Sequence, residues 1–258
     1  MVHIASPSNL RFKLWRRQAD GEVRKTGRTL VCGARVCHEV ASTLAEERMA
    51  WIVPADFEGE LPGSAAIPRH ELARGLFSEL DRFGTGYPLL DVAVDDRIVP
   101  PPTEFRAGLY LALPLQDPVN VGAVIRTAAG LGVSGVFLLP SCTNPFHPRS
   151  VRTSAGAVFK LPLHAIDDLA ELAARGLEIV GLDSGGEPIE AYRFPERAVL
   201  LVGQEGGGLA QTGGLSTLKH VRISVVALPM QGIESYNANV AAALAMYEWK
   251  KRCGQRKP

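Results

Sequence analysis

The sequence predicts an α/β protein built on a parallel sheet, and three observations carry that expectation. Runs that are apolar at every position, such as Leu109-Tyr110-Leu111-Ala112-Leu113 and Val199-Leu200-Leu201-Val202, fit strands covered on both faces, as parallel strands are. These runs alternate with stretches of helical periodicity. Three polar islands then stand at the ends of apolar runs: Asn120-Val121-Gly122-Ala123-Val124-Ile125-Arg126, Gly203-Gln204-Glu205-Gly206-Gly207-Gly208-Leu209, and Leu228-Pro229-Met230 leading to Glu234-Ser235-Tyr236-Asn237. Loops at the carboxyl ends of strands form the ligand crevice of an open α/β sheet, so such islands converge on one site.

Two halves read differently. Residues 28–32 read as a strand, 35–47 as a helix, 49–53 as a strand and 70–81 as a helix, giving a small α/β domain over residues 1–98. Val99-Pro100-Pro101-Pro102-Thr103 is stiff and short of backbone donors, which marks residues 99–106 as a linker. From 107 to 258 the alternation is more regular. Strands are expected at 109–113, 136–139, 177–182, 199–202 and 223–228, and helices from about 121 and over 167–175. A long helix over 235–252 closes the chain, with Val240, Ala241, Leu244 and Tyr247 on one side.

Composition narrows the function. The 258 residues are 46% hydrophobic and 21% charged, an ordinary globular balance that disfavours disorder. No apolar run approaches the roughly 18 residues of a spanning helix, and the basic N-terminus lacks the apolar core of a secretory signal. A cytoplasmic protein without a membrane partner is expected. Cys32, Cys37, Cys142 and Cys253 lack zinc-site spacing, so no metal is expected. Net charge is only +1, but Arg11, Lys13, Arg16, Arg17, Arg24, Lys25, Arg28 and Arg35 face only Asp20 and Glu22 in the same stretch. Such a local basic stripe suits a polyphosphate backbone.

Taken singly, each island has a plain structural reading. Asn120 serves equally as a helix cap, Arg126 as a surface charge, Ser235 as the cap of the last helix, and the glycine-rich loop as a solvated turn. Gly122 in a first helical turn permits close backbone approach by a ligand. The loop at Gly203 lacks the Lys-Ser/Thr of a Walker loop, and Glu205 inside it would repel a pyrophosphate. A neutral or cationic ligand suits it better, which disfavours a dinucleotide oxidoreductase. Pro229 frees backbone groups as the chain leaves the sheet, and Asn237 is a poor helix residue unless its amide has a partner.

Together and in this order, the islands resemble motifs one, two and three of the SpoU (TrmH-like) branch of the SPOUT RNA methyltransferases: N-x-G-x-x-x-R, G-x-E-x-x-G-L, and Pro-Met followed by S-L-N. The resemblance spans residues 109–249, and the first half resembles the L30e-like RNA-binding domain often found ahead of it. It implies an α/β knot fold with a deep C-terminal trefoil knot, a homodimer, and S-adenosylmethionine as cofactor. By position, Gly203, Glu205, Gly208, Leu209, Leu228, Pro229, Met230 and Asn237 would lie near the cofactor. Asn120, Arg126, Glu205, Ser235 and Asn237 would serve transfer to a ribose 2′-hydroxyl, with Arg126 near the partner's cofactor. Tyr236 stands where the family has Leu, and Asn239 where a small residue is common. The N-terminal Ile4-Ala5-Ser6-Pro7-Ser8-Asn9 resembles rRNA-modifying members, which favours rRNA over tRNA. The alternative is an RNA-binding protein that keeps the fold without catalysis.

Overall fold

A computed structural model describes residues 2–203, 209 and 221–253. In chain order the first elements are β1 (Val2–Ile4), α1 (Leu10–Ala19), α2 (Val23–Thr26), β2 (Arg28–Val31), α3 (Ala34–Thr43), β3 (Met49–Pro54), β4 (Arg69–Leu72), α4 (Arg74–Leu80) and β5 (Leu89–Ala93). Then follow β6 (Ile98–Val99), β7 (Gly108–Leu113), α5 (Pro118–Leu131), β8 (Gly135–Leu138), α6 (Pro148–Thr153), β9 (Leu163–Ala165), α7 (Ala170–Ala174) and β10 (Glu178–Pro188). The last are β11 (Arg197–Leu201), β12 (Ile223–Ala227) and α8 (Ala238–Cys253). Contacts divide the chain into two units, Met1–Arg97 with Asn144–Phe159, and Ile98–Thr143 with Lys160–Pro258. The division at Arg97 lies one residue from the expected boundary, but grouping Asn144–Phe159 with the first unit was not foreseen.

Unit 1 is a mixed five-stranded sheet in the order β1-β4-β3-β5-β2. Phe12 and Trp15 on α1 pack into a core with Leu30, Ile52, Leu72, Leu76, Leu80 and Leu89. Asn9 starts α1 by accepting from the Arg11 and Phe12 amides. The helix expected over 70–81 divides in two. Residues 69–72 pair in parallel with both β1 and β3, and the helix begins only at Arg74. Leu72, Leu76 and Leu80 have helical spacing, but the gap between β1 and β3 takes the first of them into a strand; sheet pairing overrides local periodicity. Asp91, buried on β5, accepts from Trp15 Nε1 at 3.0 Å and Arg28 Nε at 2.8 Å. Arg28 is therefore held in a structural ion pair.

Unit 2 is a seven-stranded sheet in the order β12-β10-β11-β7-β8-β9-β6, with every pair parallel. Its central strands β7 and β8 are apolar and buried at every position because both faces are covered. Tyr110, Phe137, Val199 and Leu201 share a core with Leu169, Leu172 and Leu209. The proline-rich stretch is fastened down rather than free. Val99 pairs with His164, whose Nδ1 donates to the Pro100 carbonyl at 3.2 Å, and Arg175 donates to the Pro102 carbonyl at 2.9 Å. Prolines cannot donate, but their carbonyls accept, and Phe105 anchors the end of the stretch in the core.

The last helix also turns out differently. Its buried side is Ala242, Ala245, Met246 and Trp249, while Val240, Leu244 and Tyr247, grouped on one side in the sequence, are exposed. The helix carries two apolar stripes, and periodicity could not tell which one meets the sheet. No helix among the described residues is long and apolar enough to cross a membrane.

Candidate active site

Strand order brings the islands together. From β7 the chain moves outward to β8 and β9, whereas β10, β11 and β12 lie on its other side, so β7 and β11 flank a topological switch point. Because β7, β11 and β12 are parallel, the segments that follow them leave the same edge of the sheet. That edge is where an open α/β sheet binds its ligand.

Motif one occupies the start of α5. Asp117 is the cap, accepting from the Val119 amide at 3.0 Å, with Pro118 at the first helical position. Asn120 is thus inside the first turn, not the cap, and its side chain is left to other partners. Gly122 is buried. Arg126 is exposed. It lies about 120° around the helix from Asn120, at 100° per residue.

Motif three closes on motif one. Asn237, not Ser235, caps α8: its Oδ1 accepts from the Asn239 amide at 3.0 Å, and its carbonyl accepts from the Ala241 amide at 3.0 Å. The same side chain donates through Nδ2 to Asn120 Oδ1 at 3.3 Å. One residue thereby starts a helix and ties it to α5. Thr127 Oγ1, two turns along α5, donates to Asn239 Oδ1 at 3.4 Å. Asn239 is therefore turned toward α5. Ser235 is exposed, and sequence capping logic placed the helix start two residues early.

Tyr236 has a distinct role. Its hydroxyl donates to the Pro229 carbonyl at 2.8 Å, closing the turn between β12 and α8. Leucine, the family's residue there, has no such donor. Pro229 is exposed, with Leu228 and Met230 half-buried. Among the described residues, no hydrogen bond engages the backbone of Leu228 or Met230.

Motif two is described at both its ends. Gly203 follows β11 and is half-buried, while Glu205 and Gly208 lie outside the described residues. The Leu209 side chain enters the core, where a Cβ on Gly181 would come within 2.6 Å of its Cδ1. Leu209 thus serves as an apolar anchor at the end of the loop. Gly181 gave no sign of this in sequence, because only the fold sets β10 against Leu209.

Residues 109–247 match the SpoU rRNA Methylase family. Over 241 residues the chain is 38% identical to ribosomal RNA small subunit methyltransferase G 2 of Syntrophobacter fumaroxidans, covering 91% of this chain and 46% of that protein. The chain spans about half to two thirds of the length of the first curated relatives it matches. An AdoMet-bound rRNA methyltransferase from Sinorhizobium meliloti superposes with TM-score 0.76 at 21% identity, covering 96% of this chain and 97% of the other. An RNA 2′-O ribose methyltransferase superposes with TM-score 0.72 at 24% identity, covering 97% and 99%. With its fold matched and its motif-bearing half covered by the family, the chain belongs to the SpoU rRNA Methylase family.

Proposed function

We propose that this protein is an S-adenosylmethionine-dependent methyltransferase acting on a ribose 2′-hydroxyl of structured RNA, rRNA in preference to tRNA. The observation that carries the reading is the Asn120–Asn237 hydrogen bond, which joins motif one to motif three at the carboxyl edge of a parallel sheet. The residues there fit the cofactor: half-buried Leu228 and Met230 offer apolar contact and backbone groups at the same edge of the sheet that Gly203 leaves. S-adenosylmethionine, when bound, supplies an already activated methyl group.

The chain's residues then have two tasks, alignment and charge. Asn120 and Asn237 fix the mouth of α5 against the start of α8, so that the sugar hydroxyl meets a rigid rim. Arg126 holds the sugar oxygen as negative charge grows on it, together with a neighbouring phosphate. A guanidinium is a donor and a fixed cation, so its part is electrostatic. Glu205 and Ser235 complete the surrounding hydrogen bonds.

The active form in this reading is a homodimer of knotted subunits. Exposed Val240, Leu244 and Tyr247 recur along one side of α8, and exposed Val119 on α5 adds to the apolar surface. A second copy would cover that stripe, and Arg126, turned away from Asn120, would act beside the partner's cofactor. Unit 1 is assigned to RNA binding, as an L30e-like domain would be.

The test is incubation of the purified protein with labelled S-adenosylmethionine and RNA from cells that lack it. Label entering the RNA is expected. Tight RNA binding with no label transferred would instead favour a binding protein that keeps the fold.

A further inference from the structure

Half of the basic stripe read from the sequence is engaged inside unit 1. Arg28 pairs with Asp91, Arg17 and Lys25 share Glu22, and Arg11 donates to His70. Among the described residues, no ion pair engages Arg35, Arg149 or Arg152, all of which are exposed. Two of these three come from the segment Asn144–Phe159, which the chain reaches only after β8.

That segment is built into unit 1. Thr29 Oγ1 donates to the Phe146 carbonyl at 2.6 Å, and Arg97 donates to the Phe159 carbonyl. Gly156, at φ 82°, lets the backbone close against Val36 and Val40 of α3. At its other end, His147 lies against Gly21, just past α1. The result packs α6 against β2 and brings Arg152 toward Gly33, at the start of α3. The Arg152 guanidinium stacks 4.6 Å over the Phe83 ring and lies about 4 Å from where a Cβ on Gly33 would sit. Phe83 is itself held against the core. Arg149 sits one turn before Arg152 on the same side of α6, and Arg35 follows Gly33 by two residues.

We infer that Arg35, Arg149, Arg152 and Phe83 form an RNA-docking surface of unit 1, completed by a segment that interrupts the chain of unit 2. This rests on the RNA-methyltransferase reading. Three cations gathered without carboxylate partners repel one another, and a polyphosphate strand relieves that repulsion. A planar guanidinium fixed over an aromatic ring is preset to meet phosphate oxygens at little entropic cost. An unpaired nucleotide, with its phosphate on the arginines and its base beside Phe83, is the fitting partner.

The experiment measures binding of the full-length protein to RNA from cells that lack it, across a salt series, for wild type, R149Q/R152Q and R35Q. S-adenosylhomocysteine affinity and the melting temperature are followed alongside. The double variant should bind RNA about tenfold or more weakly, with the slope of log K against log salt reduced by about 1 per arginine lost. R35Q, on a different helix, should lose a single unit of slope even if the double variant misfolds. Unchanged RNA affinity and slope in folded variants would overturn the surface while leaving the methyltransferase reading intact. A wild type that binds neither RNA nor S-adenosylhomocysteine would overturn both.

Discussion

Asn237 caps α8 with its oxygen and reaches Asn120 on α5 with its nitrogen, 3.3 Å away, so one side-chain amide does two jobs, accepting at one end and donating at the other. Aspartate keeps the cap and loses the donor. N237D should therefore melt close to wild type yet bind S-adenosylhomocysteine several-fold more weakly. N237A should lose both, costing about 1 kcal/mol for the cap alone. Thermal melts with calorimetry separate the two effects; equal affinity in N237D and wild type would remove Asn120–Asn237 from the cofactor rim.

The Tyr236 hydroxyl holds the Pro229 carbonyl at 2.8 Å. Y236F removes only that hydrogen bond, worth about 1 kcal/mol when net exposed contributions are counted. S-adenosylhomocysteine affinity is expected to fall about fivefold with little change in melting temperature. A variant as tight as wild type would show that the clamp does not shape the site.

Two glycines of β10 differ in what a methyl group would strike. At Gly181 it meets the end of the Leu209 side chain, which can move; at Gly186 it meets the Val225 backbone at 2.6 Å, which cannot. G186A should thus cost about 3 kcal/mol or more and G181A about 1 to 2. Urea melts read the difference, and the reverse order would contradict the pairing of β10 with β12.

His147 caps α6 by accepting the Arg149 amide on Nδ1, which requires the neutral ring. Burial first, and then Arg149, lower its pKa, and burial lowers those of His70 and His164 as well. Each then binds its proton more readily in the unfolded chain. Their stabilisation is complete above the unfolded value of about 6.5 and is lost as pH falls through the folded values. Stability should decline on acidification from about pH 7, and H147N, which keeps a cap acceptor but does not titrate, should flatten that decline. An unchanged slope in H147N would exclude the cap as a source.

Much of this was legible in the sequence, for reasons that particular residues make plain. Strand β7, and β11 after Arg197, are continuously apolar because both faces are covered, so they could be read without tertiary information. The motifs were legible because Gly203 and Pro229 stand at strand exits and Asn120 and Asn237 at helix starts. What could not be read depends on contacts distant in sequence. The capture of Asn144–Phe159 by unit 1 rests on bonds such as Thr29–Phe146, more than a hundred residues apart. The buried stripe of α8 depends on which side meets α5. Asn237 rather than Ser235 caps that helix because its amide has Asn120 to answer it.

Arg126→Ala is expected to abolish methyl transfer while S-adenosylhomocysteine still binds, since the guanidinium acts on the sugar oxygen. Near-full activity in that variant would end the role given to Arg126.

The most direct measurement is alkaline hydrolysis of RNA labelled by the wild-type protein from methyl-labelled S-adenosylmethionine. A methyl on the ribose 2′-oxygen blocks cleavage at that nucleotide, so the account predicts label in alkali-stable dinucleotides. Label found only in mononucleotides, or no label at all, would contradict it.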